Sequence, residues 1–153
     1  MDYSNEDFFE IQKAIKFLTD SCLLPDGSQK ELKTAKPLVA HSLRVAFQLI
    51  EENDDRNLVI AAILHDLVED AGVDIDIIEK EFGLEVTDIV KAVTYDLNHS
   101  DEAEKGERII QQALRSSDLV IKLKVYDAID NMKYYTFTPA DEKRKEAVLK
   151  RCA

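Results

Sequence analysis

The chain has 153 residues, 45% of them hydrophobic and 33% charged, enough for one folded domain over residues 1–153 and unlike a disordered composition. A formal net charge of −11 repels a nucleic-acid backbone and argues against DNA or RNA as a partner. No apolar run is long enough to span a bilayer, the acidic start MDYSNEDFFE is no signal peptide, and Cys22 and Cys152 form no CxxC; the expectation is a cytoplasmic protein without a membrane segment, zinc knuckle or disulfide framework.

Every element reads as a helix. Over 5–20, Phe8, Ile11, Ile15 and Leu18 recur at helical spacing behind Ser4, an N-cap residue type. Residues 21–36 are polar, contain Pro25 and Gly27, and read as a loop. Pro37 suits the first turn of a helix running to about Glu52. Asp55 then caps a helix that continues through AAILHDLVED to Gly72. A short helix over Asp74–Phe82 is closed by Gly83, and 84–94 forms another with Val86, Ile89, Val90 and Val93 on one side. Residues 95–100 read as a loop. Helices follow over 101–115 and 117–135, with Ser117 placed to cap the second, and Thr138-Pro139 opens a charged last helix. There is no alternating strand pattern, linker or internal repeat, so the fold class is all-α, helix packed on helix in a compact single domain.

Within AAILHDLVED, His65, Asp66, Glu69 and Asp70 follow an apolar run. One reading is a solvated acidic helix end. The other is a metal site, and three features favour it. The preceding LVIAAIL is apolar nearly all round, as in a buried helix. Acids near a helix C-terminus oppose the helix dipole unless a cation offsets them. Two further helices carry polar groups in apolar settings, His41 in PLVAHSLRVA and Asp127 in KLKVYDAIDNM, and a buried carboxylate needs a partner. On an unbroken helix His65 and Glu69 share a side, as do Asp66 and Asp70.

The donor set His41, His65, Asp66 and Asp127 mixes nitrogen and oxygen and lacks thiolate. Mn(II), Fe(II), Co(II) or Mg(II) suits it, zinc less naturally. Nothing in the set requires redox chemistry, and Lewis-acid hydrolysis is the simplest use.

H…HD…D, with HDxxED followed by FGLEVTDIVKAVT and later DAIDNM, resembles the HD superfamily of metal-dependent phosphohydrolases, and within it the hydrolase domain of RelA/SpoT-type alarmone enzymes and the small alarmone hydrolases. The resemblance covers about residues 5–135. It implies an HD-type helical bundle and one metal ion, usually Mn(II), on His41, His65, Asp66 and Asp127. It implies that Glu69 and Asp70 are the acidic pair that positions or activates the attacking water, that Asn131 is a substrate-side asparagine, and that Lys30 is a basic substrate contact. The implied reaction is hydrolysis of the 3′-pyrophosphate of guanosine tetra- or pentaphosphate, a small nucleotide. Lys33, Lys36, Lys122 and Lys124 are further phosphate-contact candidates by position.

The chain also departs from the family pattern. The usual glycine and base-holding tyrosine before the first histidine are Ala35 and Leu38. A phosphate-reaching lysine after VT is Leu97, and the histidine of DRLHNM is Asp130. The sequence therefore leaves open an HD hydrolase of another nucleotide or phosphoester, or a nucleotide-binding HD module without turnover; a homo-oligomer is compatible with it. His99 reads as exposed and non-catalytic, and Tyr134, Tyr135 and Phe137 as packing residues.

Overall fold

A computed structural model of the chain describes residues 3–32, 36–94 and 102–137, together with residues 142, 145 and 146. Ala35, Lys33, Leu97, His99, the loop at 95–100 and the start of the last helix at Thr138-Pro139 lie outside the described residues. Eight helices are described: α1 (Asn5–Ser21), α2 (Leu38–Glu51), α3 (Arg56–Leu64), α4 (Leu67–Asp70), α5 (Ile75–Phe82), α6 (Leu84–Val93), α7 (Glu102–Leu114) and α8 (Asp118–Phe137). No strand occurs among the described residues; an isolated bridge pairs Leu23 with Gln29 in the loop after α1.

The helix starts follow local chemistry. Ser4 Oγ accepts the Asp7 N–H while the Asp7 carboxylate accepts the Ser4 N–H, a reciprocal capping box. Asp55 accepts from the N–H groups of Asn57 and Leu58, and Asp74 from that of Asp76. Gly83, at φ +84°, separates α5 from α6 in a conformation that glycine adopts without strain.

α3 is the centre of the bundle. All seven residues from Leu58 to Leu64 are buried, and α1, α2, α6 and α8 pack around it. Each buried Leu, Ile or Val there contributes about 1.5–3 kcal/mol of transfer free energy. α1 turns Ile11, Ala14 and Leu18 towards this core, and α2 turns Val45, Ala46 and Leu49.

One sequence expectation requires correction. The helix expected from Asp55 to Gly72 does not run through; it stops at Leu64, and α4 begins at Leu67. His65 and Asp66 occupy the turn between them, Asp66 at φ −95° and ψ −4°. The Ala62 carbonyl accepts a hydrogen bond from His65 Nδ1 at 2.8 Å, so a side chain competes for a helix acceptor at the break. The break lets two consecutive side chains aim at one point; in an unbroken helix neighbours point about 100° apart.

Candidate metal centre

Four side chains from three parts of the chain meet beside α3: His41 in the second turn of α2, His65 and Asp66 at the α3–α4 break, and Asp127 in the middle of α8. One donor atom from each lies within 4.8 Å of all the others. All four residues are buried. His41 Nε2 is 3.3 Å from His65 Nε2, 3.3 Å from Asp66 Oδ2 and 3.2 Å from Asp127 Oδ1. His65 Nε2 is 3.2 Å from Asp66 Oδ1 and 3.7 Å from Asp127 Oδ1.

The outer nitrogens decide what this cluster is suited to. His41 Nδ1 faces Asp130 Oδ2 at 2.7 Å, and His65 Nδ1 faces the Ala62 carbonyl at 2.8 Å. Each Nδ1 has an acceptor opposite, which assigns the ring proton to Nδ1 and turns both Nε2 lone pairs inward. Two imidazole lone pairs and two carboxylates then converge on one small volume. The donor set and spacing fit a divalent cation, with the backs of both rings held as metal-binding histidines need.

Without a cation, protons take over its role. Burial alone pushes both imidazoles down, but contacts to Asp127, Asp130 and Asp66 raise His41 to about 9, and Asp66 and Asp127 raise His65 to about 10. Burial pushes Asp66 up, yet the charges of His65 and Lys36 hold it well below the usual carboxylate range. Burial likewise opposes ionisation of Asp127, and Lys124 with the two histidines holds it low.

These shifts give the metal-free protein a defined pH response. The raised histidines stabilise the fold fully below the ordinary imidazole value of 6.5, and that contribution is lost as pH rises through about 9 and 10. The lowered carboxylates act oppositely, contributing above the ordinary value of 3.8 and losing the contribution as pH falls through their depressed values. The Tm of chelated protein should therefore decline from pH 6.5 to 9, while the gain on adding Mn(II) grows over the same interval as metal replaces protons. Calorimetry with and without metal checks this; a Tm gain that shrinks with rising pH contradicts it.

Around the four donors stand residues of both signs. Lys36, just before α2, places Nζ 2.7 Å from Asp66 Oδ2 and donates to Asn131 Oδ1 at 3.2 Å. Asn131 donates to Asp127 Oδ1 at 2.6 Å. Lys124 lies one turn before Asp127 and binds its Oδ2 at 2.8 Å. Arg44 grips Asp130 with Nε and Nη2 at 2.7 and 2.8 Å. The Asp130 carboxyl is driven low by His41 and Arg44 against the effect of its burial.

The remaining sequence candidates fall nearby or elsewhere. Glu69 and Asp70 are half-buried on α4, one turn beyond the His65–Asp66 pair and outside the four-donor cluster. Lys30 donates to the Ala71 carbonyl at 2.5 Å, against the end of α4. Lys122 is paired with Glu52 and Asp54 at the α2–α3 connection. Leu38 is buried in the core. Tyr134 and Tyr135 meet edge to face with ring centroids 5.0 Å apart, and the Phe137 side chain lies outside the described residues. Arg44 is the one participant that the sequence reading does not single out. Its signal is its position, one helical turn beyond His41, as Asp130 lies one turn beyond Asp127.

Comparison with known proteins identifies the family. The HD domain family matches residues 14–148. A guanosine-3′,5′-bis(diphosphate) 3′-pyrophosphohydrolase of Aquifex aeolicus is 35% identical over 140 residues, 90% of this chain and 19% of that protein. The Drosophila melanogaster enzyme of the same name, MESH1, is 35% identical over 100 residues, 63% of this chain and 55% of that protein. The chain thus spans about a fifth of the Aquifex relative's length. The solved structure of a metazoan ortholog of SpoT that hydrolyses ppGpp superposes with a TM-score of 0.73 at 23% identity, covering 99% of this chain and 88% of that one. A protein of Listeria monocytogenes superposes with a TM-score of 0.61 at 27% identity, over 73% of this chain and 79% of that one. Across the described residues no helix is long and apolar enough to cross a membrane. With the family match over most of its length and the all-helical fold shared with these structures, the chain belongs to the HD-domain family.

Proposed function

We propose that the protein is a metal-dependent hydrolase that removes pyrophosphate from the 3′ position of guanosine-3′,5′-bis(diphosphate) or a close relative of it. The observation that carries this reading is the convergence of His41, His65, Asp66 and Asp127 within 4.8 Å, with an acidic pair one turn further along the chain. The names of the relatives point to the same substrate class.

In this reading His41, His65, Asp66 and Asp127 hold one divalent ion: the mixed imidazole and carboxylate set without thiolate suits Mn(II), Mg(II), Co(II) or Fe(II), and zinc less naturally, and Mn(II) is the ion that the family resemblance implies. When bound, such an ion supplies Lewis acidity that makes water a nucleophile near neutral pH and offsets phosphoryl charge. Glu69 and Asp70 orient the attacking water, and Glu69 takes its proton as the new oxygen–phosphorus bond forms. The bond between phosphorus and the ribose 3′ oxygen breaks, and the nucleotide leaves with a 3′ hydroxyl after that oxygen gains a proton. Asn131, held against Asp127, presents its amide towards ribose or phosphate. Lys30, whose ammonium donates to the Ala71 carbonyl at the end of α4, is assigned a phosphate contact on the family resemblance alone.

Leu38 supports a second reading within the same chemistry. It is only 2% exposed, so it provides neither the ring nor the hydroxyl of the tyrosine expected there, and guanine is held by other groups or another base is accepted.

A single experiment tests both. Phosphate and pyrophosphate release is followed over a nucleotide panel with Mn(II), Mg(II), Co(II) and Zn(II). The expected result is pyrophosphate from 3′-pyrophosphorylated guanosine nucleotides, fastest with Mn(II) and abolished by chelation. Turnover of another nucleotide alone favours the second reading, and metal-loaded protein that hydrolyses nothing in the panel overturns both.

A further inference from the structure

Lys36, a phosphate-contact candidate only by its position in the sequence, is one of two lysines among the described residues whose ammonium meets a donor carboxylate of the candidate metal centre, the other being Lys124. Its side chain is 9% exposed, and Nζ lies 2.7 Å from Asp66 Oδ2. On its other side it donates to Asn131 Oδ1 at 3.2 Å, while Asn131 donates to Asp127 Oδ1 at 2.6 Å. The ammonium therefore closes a ring from Asp66 through Asn131 to Asp127, joining two of the four donor residues. Pro37 fixes the backbone directly after it, and α2 follows with His41.

We propose that Lys36 is a substrate-binding residue whose ammonium competes with the metal ion for Asp66 and is handed to a phosphate oxygen once the ion is in place. This rests on the function proposed above. A buried ammonium stays charged only beside anions. A divalent ion among the four donors takes up the Asp66 carboxylate and repels a cation a few ångströms away. The ammonium then loses its strongest partner while its short tether keeps it at the site. Asn131 Oδ1 is neutral and does not replace a carboxylate. An anionic oxygen of a phosphate or pyrophosphate group beside the ion takes the place on the ammonium that the Asp66 carboxylate gives up, with Asn131 as its neighbour. The ligand class assigned to this position is thus a phosphoryl anion, contacted by a lysine that stands immediately before the first helix of the site.

The two halves of this proposal give shifts of opposite sign. Lys36→Met keeps the length of the stem and removes the charge. Isothermal titration of chelated protein with Mn(II) alone should show tighter binding in Lys36→Met, about tenfold in Kd, equivalent to about 1.4 kcal/mol. Titration of the Mn(II)-loaded proteins with inorganic pyrophosphate should show about tenfold weaker binding in the variant. Lys36→Arg should remain close to wild type in the first titration. A residue that only supports the fold would weaken both. Unchanged or weaker Mn(II) binding in Lys36→Met overturns the competition, and unchanged pyrophosphate binding overturns the handover. If the methionine variant does not fold, Lys36→Gln, which keeps a donor for Asn131, carries the same two measurements. Neither titration uses a nucleotide, so a chain that shows both shifts but hydrolyses no guanosine nucleotide counts against the proposed function and leaves the assignment of Lys36 standing.

Discussion

Asp66→Ala is expected to abolish stoichiometric Mn(II) binding and to bring hydrolysis down to background. Asp66 faces both histidines, at 3.3 Å from His41 and 3.2 Å from His65, from the turn between α3 and α4. The loss in affinity should exceed the roughly 10–100-fold typical of removing a residue that merely supports a ligand. The metal-free variant should also be less stable, because Lys36 loses its nearest anion; breaking a buried pair costs on the order of 3–5 kcal/mol. Asp66→Asn keeps the shape and separates the two effects. Metal analysis after gel filtration, with Tm measured in chelator, reads both, and an Asp66→Ala protein that still carries one equivalent of metal removes Asp66 from the site.

Glu69→Gln should separate chemistry from metal binding. Glu69 lies on α4 outside the four-donor cluster, so metal content and Tm should match the parent protein. Turnover should fall by about 10²–10⁴-fold, the usual contribution of a positioned acid or base. KM should change less than kcat, because the lost interaction belongs mainly to the transition state. Asp70→Asn should behave similarly if the two acids share the water. Single-turnover hydrolysis at saturating Mn(II) measures this, and an undiminished rate in the Glu69 variant takes it out of the mechanism.

Much of the site was legible because each donor stands out against its own helix. His41 and Asp127 interrupt apolar stretches that periodicity buries, and a buried polar group must find a partner. Helix starts were legible for a similar local reason, since Ser4, Asp55 and Asp74 each accept from backbone groups two or three residues on. The break at His65 and Asp66 was not legible. Leu67 continues the apolar pattern of α3, and nothing in the residue types marks a turn between them. Nor did spacing sort the lysines. Lys30 matches the family interval before His41, but its ammonium reaches the Ala71 carbonyl, whereas Lys36, five residues before His41, meets Asp66 directly. Arg44 was hidden because its partner Asp130 is 86 residues away, and only the packing of α2 on α8 joins them.

The pairing around the donors has an electrical consequence. Asp66 is matched by Lys36, Asp127 by Lys124 and Asp130 by Arg44, each at 2.7 or 2.8 Å. Three fixed cations thus match three carboxylates before any ion arrives, and two protonated imidazoles add to them while the site is metal-free. A divalent ion that takes the place of those two protons brings as much charge as it displaces, so the electrical balance of the pocket changes little on the exchange. In a chain of net charge −11, these groups together offer a polyanionic ligand a positive spot whether protons or an ion hold the centre.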